Sequence, residues 1–127
     1  MSEVGISSKR WKGWTMIEKV LLDYLNEKLE VPVFMEDPEE KYERYVILEK
    51  TGSDEENYIQ FITVAIQSYA KTLYDAACLN EDVKKAMRDS ITLPNISRSK
   101  LNSDYNYTDT TKKKYRYQAV FNLVYLD

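Results

Sequence analysis

Three groups of residues carry side chains that could do chemistry. Glu36, Asp37, Glu39 and Glu40 crowd around Pro38, and Asp54, Glu55 and Glu56 follow Gly52. Clustered carboxylates hold a divalent cation or divide acid and base roles only when a rigid scaffold aims them at one point. Both clusters fall on expected turns with no basic partner motif. A solvated charged loop is therefore the plain reading, and a cation site or an acidic-loop hydrolase the sharper one. The third group is Lys112, Lys113, Lys114 and Arg116, interleaved with Tyr105, Tyr107, Tyr115 and Tyr117. It reads as a hairpin tip kept soluble by its lysines, as a protein contact, or as a platform on which single-stranded bases stack.

Other chemistry is limited by what is missing. The 127 residues include no histidine and one cysteine, Cys78. Ser-His-Asp and Cys-His catalysis, His-based metal sites, Cys₄ zinc and an intrachain disulfide are thereby excluded. Gly5, Gly13 and Gly52 make no phosphate-binding loop. Asn95-Ile96-Ser97 and Asn106-Tyr107-Thr108 match the glycosylation pattern, which matters only in a secreted chain. No catalytic residue, metal or cofactor is expected, and the chain does not read as an enzyme.

Charge points toward partners. The net charge is −3, so bulk electrostatics do not favour nucleic acid. The stretch 36–56 is strongly acidic and the stretch 98–116 basic. These are either two solvated loops or complementary patches suited to head-to-tail packing of identical subunits. The first apolar run, Met16 to Leu25, is broken by Glu18, Lys19 and Asp23, so no secretion signal is expected. No stretch approaches the roughly 20 apolar residues that span a bilayer. Cys78 reads as a small buried apolar residue of a chain made in the cytosol.

The elements that must position these groups follow from periodicity. Residues 1–14 read as an irregular segment, and 15–127 as one α+β domain. Trp11 and Trp14 precede the first helix as core covers or, if exposed, as a partner contact. Thr15 and Glu18 fit a capping box, and Ile17, Val20, Leu21, Tyr24, Leu25 and Leu29 form one stripe, which predicts a helix over 15–29. Three strands are expected next: Val31 to Glu36, Arg44 to Lys50, and Tyr58 to Tyr69. Thr51-Gly52-Ser53-Asp54 is the expected turn between the last two. Apolar residues on both sides of the third strand suggest cover on both faces. Lys71 to Asp89 returns to helical spacing, with Leu73, Ala76, Ala77, Val83 and Met87 inward and Asn80 interrupting the stripe. Ile96 to Tyr107 and Lys114 to Leu126 form a closing hairpin. The order is α-β-β-β-α-β-β, a mostly antiparallel sheet of about five strands with two helices packed on it.

Several local sequences, in this order, resemble the tail-completion or tail-terminator proteins of long-tailed bacteriophages. They are Val31-Pro32-Val33-Phe34-Met35-Glu36 with Pro38, then Val46 to Gly52 in the pattern V-x-x-E-x-T-G. Gln67-Ser68-Tyr69-Ala70, the alanine pair Ala76-Ala77 and Arg116-Tyr117-Gln118-Ala119 follow. The likeness covers roughly residues 15–126 and departs at Tyr69, where a tryptophan is common in the family.

The resemblance implies a structural virion protein of the tail neck, assembled in the host cytoplasm. Such proteins form a ring, commonly a hexamer, that caps the head-proximal end of the tail tube and stops its growth. The implied partners are further copies of the chain, the tail tube protein and the head connector, with DNA only as passing cargo and no membrane. A head-completion protein on the portal side is the alternative, and a single-strand nucleic-acid-binding module a lesser one. The candidate subunit interface pairs Glu36, Asp37, Glu39 and Glu40 with Lys112, Lys113, Lys114 and Arg116.

Overall fold

A computed structural model describes residues 16–126. Trp11, Trp14 and the Thr15 half of the expected capping box lie outside those residues. Helix α1 spans Ile17–Lys28 and buries Ile17, Leu21, Tyr24 and Leu25, the stripe expected from the spacing. Met16 is its N-cap, without a side-chain cap bond, and Glu18 reaches Lys50 at 3.3 Å instead. The helix ends where Leu29 turns extended, and Pro32 follows.

Strand β1 is only Val33–Phe34. Asn26 of α1 shortens and anchors it: its amide donates to Val33 O at 3.1 Å and accepts from Val33 N at 3.0 Å. β1 pairs parallel with strand β2, Tyr45–Glu56, because the 37–43 loop carries the chain back to the same end before β2 begins. The sheet is therefore mixed, with this one parallel pair beside three antiparallel ones.

The turn expected at 51–54 is not there. β2 runs on to Glu56 with a bulge between Lys50 and Gly52, and the chain reverses at Asn57 and Tyr58 instead. Both have positive φ, 53° and 69°, the backbone of a two-residue type I′ hairpin loop. A bulky residue such as Tyr58 is uncommon there. Cross-strand pairing from Gly52↔Thr63 to Glu56↔Ile59 outweighs the local turn preference of Thr-Gly-Ser-Asp.

Strand β3 spans Ile59–Ala70, and helix α2 spans Leu73–Arg88, where the Thr72 side chain caps Asp75 N. Asn80 does not interrupt α2: it lies buried on the inward face with Ala76, Leu79, Val83, Ala86 and Met87. Leu73 is exposed, and so is Cys78, against the burial expected of it. At about 100° per residue the inward stripe is centred on Leu79, Val83 and Ala86, which turns Cys78 to the solvent side. A 3-10 turn over Asp89–Thr92 leads to strand β4, Ile96–Asn106, and strand β5, Tyr115–Leu126, completes the hairpin.

The strand order is β1-β2-β3-β5-β4. Both helices pack on one face, closing a core of Leu21, Leu25, Leu48, Ile66, Val83 and Phe121. Tyr24 locks α1 to α2 by donating to Ala86 O at 2.7 Å. Among the described residues a helix layer covers one face of β3 only, although Ala65 and Tyr69 on the other face are buried as well. Ile62, Val64 and Ile66 are under the helices, while Phe61, on the opposite face, is 45% exposed and faces no described element.

Candidate interaction surface

Because side chains alternate along a strand, the pairing register lays the uncovered face out in rows. In one row Tyr45 stacks on Tyr69 with ring centres 4.6 Å apart and planes 4° from parallel. Arg116 donates to Tyr69 Oη at 2.9 Å and to Tyr107 O at 2.6 Å, with its guanidinium 4.4 Å from the Tyr107 ring centre. In the next row Gln67 donates to Gln118 at 2.9 Å, and Gln118 donates to Tyr105 Oη at 2.6 Å. Further along, Thr63 donates to Asn122 at 3.2 Å. Polar side chains spent on one another across strands stiffen the sheet and leave a flat face of aromatic and amide character.

That face changes toward the Asn57–Tyr58 loop. Phe61 and Leu126 are exposed there, and Tyr58 at the loop is 78% exposed. A recess of about 540 Å³ is lined by Asp54, Phe61, Thr63, Arg98, Lys100 and Asn122. Its acid comes from β2 and its bases from β4.

The expected interface residues collect at the opposite end of the sheet. Asp37, Glu39, Glu40, Lys113 and Lys114 line a second recess of about 510 Å³, with Tyr45 and Tyr69 at its floor. Asp37 and Lys114 meet within the chain itself at 3.4 Å, both largely exposed. Tyr42 donates to Glu40 at 3.2 Å. Glu36 is exposed just after β1, and Lys112 is exposed at the hairpin tip. Arg116 does not join them, being held on the sheet face between Tyr69 and Tyr107. The tip is built rather than loose: the Asp109 carboxylate accepts from Thr111 N and Lys112 N, and the hydrogen bond from Thr111 holds its pKa below the usual range.

Burial, then the nearby Asp37 charge, then Tyr69, push the Tyr45 hydroxyl up to about 12 from 10.0. A raised folded-state value means that the neutral phenol stabilises the fold fully below pH 10, and that this is lost as pH rises through about 12. We expect Tyr45→Phe to decline less steeply than the parent over that window. Urea midpoints at successive alkaline pH values measure it, and parallel declines would refute it.

Sequence reasoning missed a polar bridge on the helix side. Lys84 joins Glu81 at 2.6 Å and Asp104 of β4 at 3.0 Å, and Asn80 donates to Asp104 at 2.9 Å. The only available signal was a polar residue inside an apolar helical stripe, and its partner is 24 residues away in sequence. The Asp54–Glu56 cluster lies along a strand, which points successive carboxylates to opposite faces, and among the described residues no group of His, Cys, Asp or Glu is arranged to hold a metal ion. No described helix is long and apolar enough to cross a membrane. No protein-family model matches the chain, and no curated protein matches it.

Proposed function

We propose that this chain is a structural subunit that works as one member of a closed ring, of the kind that tail terminators form on the head-proximal end of a phage tail tube. The observation that carries the reading is the one-sided sheet. Five strands present a face that the described helices leave uncovered, built from mutually bonded aromatic and amide side chains and flanked by an acidic strand and a basic strand. Rigid, aromatic, partly apolar surface is what protein interfaces use at their centres. The element order also follows that of the resembling family, although Thr51-Gly52 falls within a strand here and not at a turn.

The two ends of the subunit differ in character. The loop end offers Tyr58, Phe61 and Leu126, and the other end offers the Asp37 turn and the Lys112–Lys114 tip. A ring standing between two different partners needs two such different surfaces: the tail tube protein on one side, the head connector on the other, with DNA passing through. Its place would be the neck of the virion. Nucleic-acid stacking is less well supported, since Arg116 lies over the Tyr107 ring and the Tyr105 and Tyr107 rings meet edge to face.

Electron microscopy of the chain mixed with polymerising tail tubes tests the reading. Rings with a central hole, seated at one end of tubes that stop growing, are expected. Binding only to portal-bearing heads would move the protein to the head side, and binding to neither would overturn the reading.

A further inference from the structure

The two edges of the sheet are open in complementary ways. β1 pairs with only Val46 and Ile47 of β2, so from Leu48 to Glu56 no described strand lies on β2's outer edge. β4 is the opposite edge strand, and among the described residues only β5 pairs with it. An edge strand displays unused backbone donors and acceptors, a template for another strand.

The charges on these edges are opposite. The free stretch of β2 carries Glu49, Asp54, Glu55 and Glu56, while its one base, Lys50, is held by Glu18 of α1 at 3.3 Å. β4 carries Arg98 and Lys100, neither in an ion pair with a described residue. The register puts Asp54, Phe61, Val124 and Arg98 in one row, so acids and bases sit at the same height on opposite edges.

Strand direction completes the match. β2–β3, β3–β5 and β5–β4 are all antiparallel, so β4 runs opposite to β2. A copy placed beside β4 by rotation about an axis along the strands presents its β2 antiparallel to β4, and the alternation continues from copy to copy. The two self-closing contacts, β4 on β4 and β2 on β2, bring like charges together. What remains is a heterologous contact, the kind that generates rings or filaments. Bulges between Lys50 and Gly52, Ile96 and Arg98, and Leu101 and Ser103 bend the edges and interrupt their ladders, which restricts pairing to a strand that matches them.

We propose that copies of this chain join edge to edge, β4 of one pairing antiparallel with the Leu48–Glu56 edge of β2 of the next, Arg98 and Lys100 facing its acids. The proposal rests on the ring reading only for closure.

Two variants test it by mixing. Arg98→Glu with Lys100→Glu makes both edges acidic, and Asp54→Lys with Glu56→Lys makes both basic; all four positions are exposed. Each variant alone should lose association and return to the 15.0 kDa monomer by light scattering. An equal mixture should regain it, because every contact in an alternating assembly is then between opposite charges. Variants that assemble alone like the parent, or a mixture that stays monomeric, would overturn the edge contact.

A cross-link covers a parent whose association is weak. With exposed Cys78 replaced by serine, Asp54→Cys and Arg98→Cys in one chain should oxidise to a reducible ladder of multimers. Antiparallel neighbours lie about 4.5–5.5 Å apart at Cα, within disulfide reach. Dimers from either single variant would show two-fold pairing and overturn the proposal, as would a monomer band from the double variant in a chain that does not associate. Rings that survive Arg98→Glu with Lys100→Glu would overturn the edge contact and leave the ring reading standing. Edge-linked chains that never cap a tube would do the reverse.

Discussion

Replacing Phe121 by alanine is expected to cost about 3–5 kcal/mol of folding stability, the range for an aromatic side chain cut from a filled core. Among the described residues Phe121 is the largest fully buried side chain, with no exposed area, on strand β5 between β3 and β4. Its ring belongs to the buried cluster between sheet and helices, on a strand that packs against α2, so the space it leaves opens inside that core. Domains of this size are stable by about 5–15 kcal/mol, so the loss is a large share. With a urea slope of about 1–3 kcal/mol/M, the midpoint should fall by about 1 M or more. Val124 supplies the control. It lies on the same strand but on the uncovered face, where it is only half-buried. Val124→Ala should cost less than about 1 kcal/mol, since little apolar area is withdrawn from water there. Equal losses at the two positions would mean that the helices do not make the core one-sided.

Asp104→Ala is the second large effect expected. Asp104 accepts from Asn80 and pairs with Lys84, and so ties α2 to β4 together with the bond from Ser99 Oγ to Met87 O. Asn80 is 1% exposed, and its Oδ1 finds no partner among the described residues. Removing the carboxylate strips the amide of its remaining bond and leaves Lys84, whose side chain is 12% exposed, to Glu81 alone. A hydrogen bond to a charged group together with an abandoned buried donor amounts to about 2–3 kcal/mol. The rescue carries the test. Asn80→Leu removes both the orphaned donor and the unpartnered oxygen, so Asn80→Leu with Asp104→Ala should be more stable than Asp104→Ala alone. Chemical denaturation of the three variants closes the cycle, and simple additivity would refute the coupling.

These two sites differ in how legible they were. Phe121 belongs to the alternating run Tyr115 to Leu126, whose inward set is visible from spacing alone. Asp104 gave no sign of a role, because its partners sit on a helix whose position is set by packing. The edge residues Asp54 and Arg98 lie between these extremes. Their stretches stood out as acidic and basic, but the sequence turn at 51–54 hid the fact that Asp54 is in a strand. Asp37 and Lys114 meet inside one chain, a different contact from the one expected between subunits. Glu36, Glu39, Lys112 and Lys113, in the Asp37 turn and the lysine tip, are, like Asp54 and Arg98 on the edge strands, in no ion pair with a described residue.

By itself the sequence determined the order of elements, the two helices and their inward stripes in the main, the β4–β5 hairpin, and the want of histidine for catalysis. Those properties follow from side-chain type and local period, which neighbouring residues decide. Tertiary structure alone decided that β2 passes through Gly52 and turns at Asn57, that β1 lies parallel, that Asn80 goes in while Cys78 stays out, and that both described helices lie on one face of the sheet. Each depends on a partner far along the chain, where pairing and burial outweigh the weaker preference of a short segment.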